Sequence, residues 1–332
     1  MSEKLLDVKN LSTYFYTNEG VVYALDDLSF SVKKGETLGI VGESGSGKSV
    51  TVLSVMRLIQ SPPGKIVSGQ IIMNGEDILP KSKKEMKAIR GDKIAMIFQE
   101  PMTALNPVFT IGSQIMESLR IHQGMSKKQA RKKAIEMLGK VGIPLPEKRV
   151  DEYPHQLSGG MRQRVMIAIA LCCNPELLIC DEPTTALDVT IQAQILELIN
   201  DLKKEFNTSV LMITHDLGVV AQVSDNVLVM YAGKEMEYGS VRQVFQKPLH
   251  PYTRALIDSI PTVENDRELL HVIEGMVPSM SKLPGGCLFH PRCERCMEIC
   301  KAQKPELYHF KDGRRVRCWL YGKEEDGGDS DE

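Results

Sequence analysis

No apolar run in this 332-residue sequence approaches the roughly 18 residues that mark a membrane-spanning helix. The longest, Val165–Cys173, is about half that length. A helical membrane protein is thereby excluded, and any membrane association is left to partners. A secretory signal is also missing, since Met1–Lys9 is polar and charged, and the expectation is an intracellular protein. Charge of one sign is lacking too: the net charge of −2 argues against a general nucleic-acid binder, which needs a basic excess on one face. The densest basic run, Lys127, Lys128, Arg131, Lys132 and Lys133, shares its stretch with Ala130, Ala134, Ile135 and Leu138, the pattern of a solvated helix face over a buried one. What remains is ordinary globular material, with 42% apolar residues and length for one large domain plus an appendage, or for two domains.

Within that frame one stretch carries chemistry outright. Gly42–Ser49, GESGSGKS, follows the apolar run Thr37–Val41 and precedes the helical run Val50–Ile59. It matches GxxxxGK[ST] completely, in the strand, turn and helix setting that a phosphate-binding loop requires. Gly42, Gly45 and Gly47 let the backbone wrap around phosphate oxygens, Lys48 supplies a point charge for the β and γ phosphates, and the Ser49 hydroxyl can ligate Mg²⁺.

The flanking chain reads as strands at Leu6–Leu11, Val21–Leu25 and Leu28–Val32, with the aromatic triplet Tyr14-Phe15-Tyr16 beside a turn at Asn18-Glu19-Gly20. Gly69–Met73 runs into an Asn74-Gly75 hairpin turn, and Ile94–Phe98 is a short strand ending at Gln99. From Pro101 the character turns helical, with amphipathic candidates at Ile111–Ile121 and Lys127–Val141. Leu157–Gln163, LSGGMRQ, then opens an apolar helix whose small N-terminal residues present free amides to an anion. The strand Leu177–Cys180 ends in Asp181-Glu182, a pair that divides labour naturally: one carboxylate for the Mg²⁺ shell, the next to orient or deprotonate a water. After an amphipathic stretch at Ile191–Phe206, the strand Ser209–Ile213 ends at Thr214-His215-Asp216, so in a parallel sheet His215 and Asp181 reach the same edge.

Taken together, these motifs resemble the nucleotide-binding subunit of an ATP-binding cassette (ABC) transporter. GESGSGKS is similar to Walker A, Gln99 to the glutamine loop, LSGGMRQ to the signature, LLICDE to Walker B, TALD ending at Asp188 to the D-loop, and His215 to the switch histidine. The resemblance implies an α/β fold: an ABC-type P-loop ATPase with an antiparallel β subdomain, a parallel-sheet RecA-like core, a helical subdomain and a small Cys-rich C-terminal appendage. Its implied domains are 1–240 for nucleotide binding, with the helical subdomain about 101–165 inserted, and 241–322 as a C-terminal extension, while the acidic, Gly-containing composition of 323–332 reads as a disordered tail. It implies that ATP is held by Gly42, Ser44, Gly45, Ser46, Gly47, Lys48, Ser49 and Val50, with Phe15 stacking on the base, and that Mg²⁺ is held by Ser49, Gln99 and Asp181. Glu182 becomes the base, His215 a γ-phosphate ligand and Gln99 a sensor of metal and water. Ser158, Gly159, Gly160 and Gln163 are lent in trans to a partner's ATP.

The flanks EPMTALNPVFTIG and LHPYTRALIDSIP are similar to those of dipeptide and oligopeptide importers and their nickel-importing relatives. That branch implies a second ATPase subunit in a heterodimer, two transmembrane permease subunits, an extracytoplasmic peptide-binding protein acting indirectly, no nucleic acid, and a peripheral location on the cytoplasmic face of the cell membrane. A soluble ABC ATPase acting on nucleic acid or ribosomes is the competing reading.

Cysteine usage is uneven. Cys172, Cys173 and Cys180 lie in apolar segments and read as small buried hydrophobes, whereas Cys287, Cys293, Cys296, Cys300 and Cys318 crowd the end of the chain. The spacing alone leaves a [4Fe–4S] cluster, structural Zn²⁺ and unligated thiols open. The family resemblance implies iron–sulfur ligation by Cys287, Cys293, Cys300 and Cys318, skipping Cys296, with a structural role expected ahead of redox sensing.

Overall fold

The runs Ile94–Ile97, Leu177–Asp181 and Ser209–Ile213 contain so few polar residues that they hold together only as strands covered on both faces. A computed structural model, which describes residues 3–100, 104–185, 187–260 and 273–322, shows them parallel, with Leu177–Asp181 in the middle. The chain divides into two compact units, and these strands lie in the first, which comprises Met1–Asp7, Ser31–Thr37 and Ile71–Ile213. Its helices Ile111–Gln123, Lys127–Lys140, Gly159–Leu171 and Val189–Phe206 each begin at a side-chain cap, from Thr110, Ser126, Ser158 and Asp188 respectively. The basic stretch behaves as its pattern predicts. Ala130, Ala134, Met137 and Leu138 are buried, while Arg131 forks onto Asp151 with both bonds at 2.7 Å and Lys133 pairs with Glu136.

The second unit comprises Val8–Phe30, Leu38–Gln70 and Thr214–Glu332. Here Leu38–Val41 lies parallel to Asn226–Tyr231, which turns through Ala232-Gly233 into the antiparallel strand Lys234–Ser240. The short strand Arg315–Val316 adds to Lys234–Ser240, and Tyr308–His309 adds to Arg315–Val316, so the end of the chain is stitched into this sheet. Tyr231, Tyr252 and Phe289 meet ring to ring at 4.8–5.4 Å behind it.

Two expectations need adjusting. The separate early strands are two long ones, Lys4–Thr17 and Gly20–Lys33, and the aromatic triplet lies within the first. Their irregular points are Asn10 at φ +48° and Asp27 at φ +61°, bridged by a 2.8 Å bond from Asn10 Nδ2 to Asp27 Oδ1, so the alternation resumes on either side. The helix after the phosphate loop is Lys48–Val55 and stops short of Ile59, because Arg57 turns to φ +51°. The segment 323–332, expected as a tail, lies outside the described residues.

Candidate functional site

In the second unit the phosphate loop leaves the buried strand at Gly42 and re-enters regular structure at Lys48. Its shape depends on glycine at two points. Gly42 has φ +153° and a Cβ there would stand 2.2 Å from the Met230 carbonyl oxygen; Gly47 has φ +102° and its Cβ would stand 2.7 Å from the Ala24 oxygen. Between them Ser44 and Gly45 are exposed, Ser46 is fully buried, and the Ser46 Oγ has no hydrogen-bond partner. Lys48 curls back so that its Nζ donates to the carbonyls of Gly42 (2.6 Å) and Glu43 (3.0 Å), while Ser49 opens the helix exposed to solvent. A tightly packed glycine loop, a buried orphaned hydroxyl on Ser46 and the Lys48 ammonium resting on loop carbonyls fit a polyphosphate, and the exposed Ser49 fits its Mg²⁺. Thr214 N donates to Ile40 O at 3.3 Å, which brings His215, exposed, beside the strand that feeds the loop. Of the aromatic triplet, Tyr14 packs edge-on against Tyr23, Phe15 is half-buried near Gly64, and Tyr16 is 52% exposed.

In the first unit the acidic pair sits where its strand ends. Ile97 pairs with Cys180 and Asp181 with Ile213, so Gln99 and Glu182 leave neighbouring parallel strands at one edge. Gln99 Nε2 donates to Glu182 Oε2 at 2.9 Å, and Thr185 Oγ1 donates to the same oxygen at 3.0 Å. Glu182 has φ +46°, an unfavourable backbone state for a residue with a Cβ, and its amide is held by Ile213 O at 2.9 Å. Asp181 is buried at 7% exposure, and the thiol of Cys180 beside it is pushed up by burial and then by the Asp181 charge, so it stays protonated. The helix Gly159–Leu171 starts at Ser158, which caps Met161 N, and Ser158 and Gly159 are exposed. Gln163 does not join them: it is buried and donates to Pro183 O at 2.6 Å, bracing the turn that follows Glu182. Asp188 spends its carboxylate on Ile191 N, capping its own helix at 3.0 Å.

Comparison with known proteins decides what this arrangement belongs to. Residues 25–185 match the family described as ABC transporter, and residues 236–300 match the family described as oligopeptide/dipeptide transporter, C-terminal region. The chain is 54% identical to the oligopeptide transport ATP-binding protein AppD of Bacillus subtilis, over 96% of this chain and 98% of that one. The chain belongs to the ABC transporter ATPases. It is also 49% identical to the dipeptide transport ATP-binding protein DppD of Escherichia coli, over 95% of this chain and 96% of that one. A solved dimeric ABC cassette, MJ0796 in a post-hydrolysis state bound to ADP and Pi, superposes with a TM-score of 0.64 at 31% identity, covering 71% of this chain and 99% of that one. This ABC ATPase has no helix, among the described residues, that is long and apolar enough to cross a membrane.

The cysteine-rich segment of this ABC ATPase departs from expectation. Metal binding in general, and the [4Fe–4S] cluster on Cys287, Cys293, Cys300 and Cys318 in particular, are corrected here: among the described residues no group of three or more His, Cys, Asp or Glu side chains is placed to hold a metal ion, which removes the Zn²⁺ alternative as well. The physical reason is packing. Cys287 and Cys300 are buried in the apolar cluster around Tyr231, Tyr252 and Phe289, with Cys293 and Cys296 packed against it, while Cys318 belongs to a separate cluster with Leu249 and Val316. Burial, with smaller contributions from neighbouring thiols, pushes Cys287 up to about 11 and Cys318 up to about 12, and it raises Cys293.

Sequence reasoning also passed over residues that shape the site. Thr185 lies inside the TALD motif and holds Glu182, and Tyr252, inside the LHPYTRALIDSIP motif, accepts from Glu43 N at 2.9 Å. Both motifs were visible, but only coordinates assign the individual side chains.

Proposed function

We propose that this ATPase is one of two non-identical nucleotide-binding subunits that power uptake of short peptides through a two-subunit permease, supplied by an extracytoplasmic peptide-binding protein. It works as a peripheral protein on the cytoplasmic face of the membrane, and nucleic acid plays no part. The observation that carries this reading is the presence in one chain of a match to the ABC transporter family, with its GxxxxGK[ST] loop, and a match to the C-terminal region of oligopeptide/dipeptide transporters. We assign residues 1–240, with the helical insertion about 101–165, to nucleotide binding and 241–322 to the extension.

In this reading Gly42, Ser44, Gly45, Ser46, Gly47, Lys48, Ser49 and Val50 bind the phosphates of ATP, with an aromatic of the triplet under the base. Phe15 is the residue that the resemblance assigns to the base, and Tyr16 carries the most exposed ring of the triplet. Ser49, Asp181 and Gln99 are the residues that would hold Mg²⁺, whose charge would offset that of the phosphates. Glu182 accepts a proton from the attacking water, and Gln99 and Thr185 fix the orientation of its carboxylate. His215 donates to the γ-phosphate, Ser158, Gly159 and Gly160 cap the nucleotide of a partner subunit, and Asp188 keeps the D-loop in register. Gln163 acts within its own chain by bracing Pro183. ATP then favours a closed pair of subunits and hydrolysis releases it, the differential affinity that drives a permease between two states.

The test is recovery of the tagged chain from native membranes. Two polytopic subunits and a second, different ATPase are expected, with hydrolysis accelerated by peptide-loaded binding protein. Recovery with ribosomal particles and no polytopic subunit overturns the reading.

A further inference from the structure

Glu43 is an odd residue for its place. It follows Gly42 in a loop shaped for a polyphosphate, where an uncompensated carboxylate repels a ligand of the same sign. Each of its hydrogen-bonding groups is engaged. Its amide donates to Tyr252 Oη at 2.9 Å, and its carbonyl accepts from Ser46 N at 3.2 Å and Lys48 Nζ at 3.0 Å. Its two carboxylate oxygens take the fork of Arg292, from Nη1 at 2.7 Å and from Nη2 at 2.9 Å.

Arg292 is held just as firmly from behind. Its side chain is 4% exposed, its Nε donates to Glu274 O at 2.9 Å and its Nη2 to Ile273 O at 3.2 Å. Its Nη1 lies 3.4 Å from Tyr231 Oη, and the guanidinium stands 5.8 Å from the centre of the Tyr231 ring. A two-pronged guanidinium on a carboxylate fixes direction as well as charge, which a lysine in the same place does not do. The fork reaches the loop from a segment 249 residues downstream, in the C-terminal extension.

We propose that Arg292 is a positioning residue of the nucleotide site: by clamping Glu43 it cancels the one negative charge built into the phosphate loop and holds the Glu43 carbonyl on which Lys48 rests, so the C-terminal extension sets ATP affinity. This rests on the reading of Gly42–Ser49 as the ATP cradle.

The experiment measures ATP affinity of the purified full-length chain by competition against a fluorescent ATP analogue, at low and at high salt. Arg292→Met binds ATP about five-fold more weakly at low salt, and the deficit shrinks when the screening length falls from about 30 Å to about 8 Å. Adding Glu43→Gln to Arg292→Met returns affinity to within about two-fold of wild type, because the charge that Arg292 cancels is gone. A residue that only supports the fold gives a deficit that is indifferent to salt and is not repaired by losing the carboxylate. Wild-type affinity in Arg292→Met, or a double variant as weak as the single one, overturns the proposal while leaving the cradle reading intact. If Arg292→Met does not fold, Glu43→Gln alone decides: affinity equal to or tighter than wild type supports charge cancellation, and a five-fold loss overturns it. A wild-type chain that does not compete for the analogue at all sinks the cradle reading itself, a result distinct from the others.

Discussion

The phosphate loop and the acidic strand end are built on different principles. The loop is backbone architecture: its form follows from two glycines whose missing Cβ atoms leave room for the Met230 and Ala24 carbonyls, and its one acidic side chain is tied down from outside. The strand end is side-chain architecture, with Glu182 aimed by Gln99 and Thr185 and the turn after it braced by Gln163. The loop therefore responds to steric change and the strand end to chemical change.

Glu182→Gln probes the second principle at its strongest. The amide keeps the shape and a hydrogen-bonding oxygen but accepts no proton, so turnover falls by about 10² or more while ATP affinity is retained. Turnover within about two-fold of wild type, in a single-turnover assay of the assembled transporter, breaks the assignment of the base. Gly42→Ala probes the first. Its Cβ would meet the Met230 oxygen at 2.2 Å, so ATP binding is lost and the melting temperature drops by about 5 °C or more; unchanged melting and binding would show that the backbone there yields.

The smallest effect sharpens the comparison by titrating the packing behind the loop. His250 is buried and burial lowers it to about 3, while its Nδ1 accepts from Tyr252 N at 3.0 Å and so caps the helix Pro251–Asp258. Because the folded value lies below the unfolded one, the unfolded chain takes up a proton first, and stability falls as pH drops from about 6.5 toward 3. By pH 5 this histidine accounts for about 2 kcal/mol. His250→Asn keeps a capping oxygen without the titration, so its melting temperature declines less than wild type between pH 7 and 5. Parallel melting curves for the two proteins would remove His250 from the account.

The motif residues were legible because their chemistry is local. A GxxxxGK[ST] run after an apolar strand constrains the consecutive residues Gly42–Ser49, and the acidic pair announces itself at the end of Leu177–Cys180. The cysteines were misread for the converse reason. Spacing records only that thiols are near in sequence, whereas ligation needs a group of side chains placed around one ion, and among the described residues no such group is found. Gln163 shows the same limit on a smaller scale. Its place in the signature suggested a role in trans, yet helical phase turns it inward to Pro183. Arg292 and Glu43 could not be paired from the sequence, because no periodicity links residues 249 apart.

That separation has a consequence for how the protein is made. A ribosome adding about 5–20 residues per second spends roughly ten to fifty seconds between Glu43 and Arg292. The phosphate loop is thus among the first parts of the chain to be synthesised and among the last to be completed. A nascent chain carries the GxxxxGK[ST] motif long before it carries Arg292, so any polypeptide ended ahead of residue 292 is born with Glu43 lacking that partner.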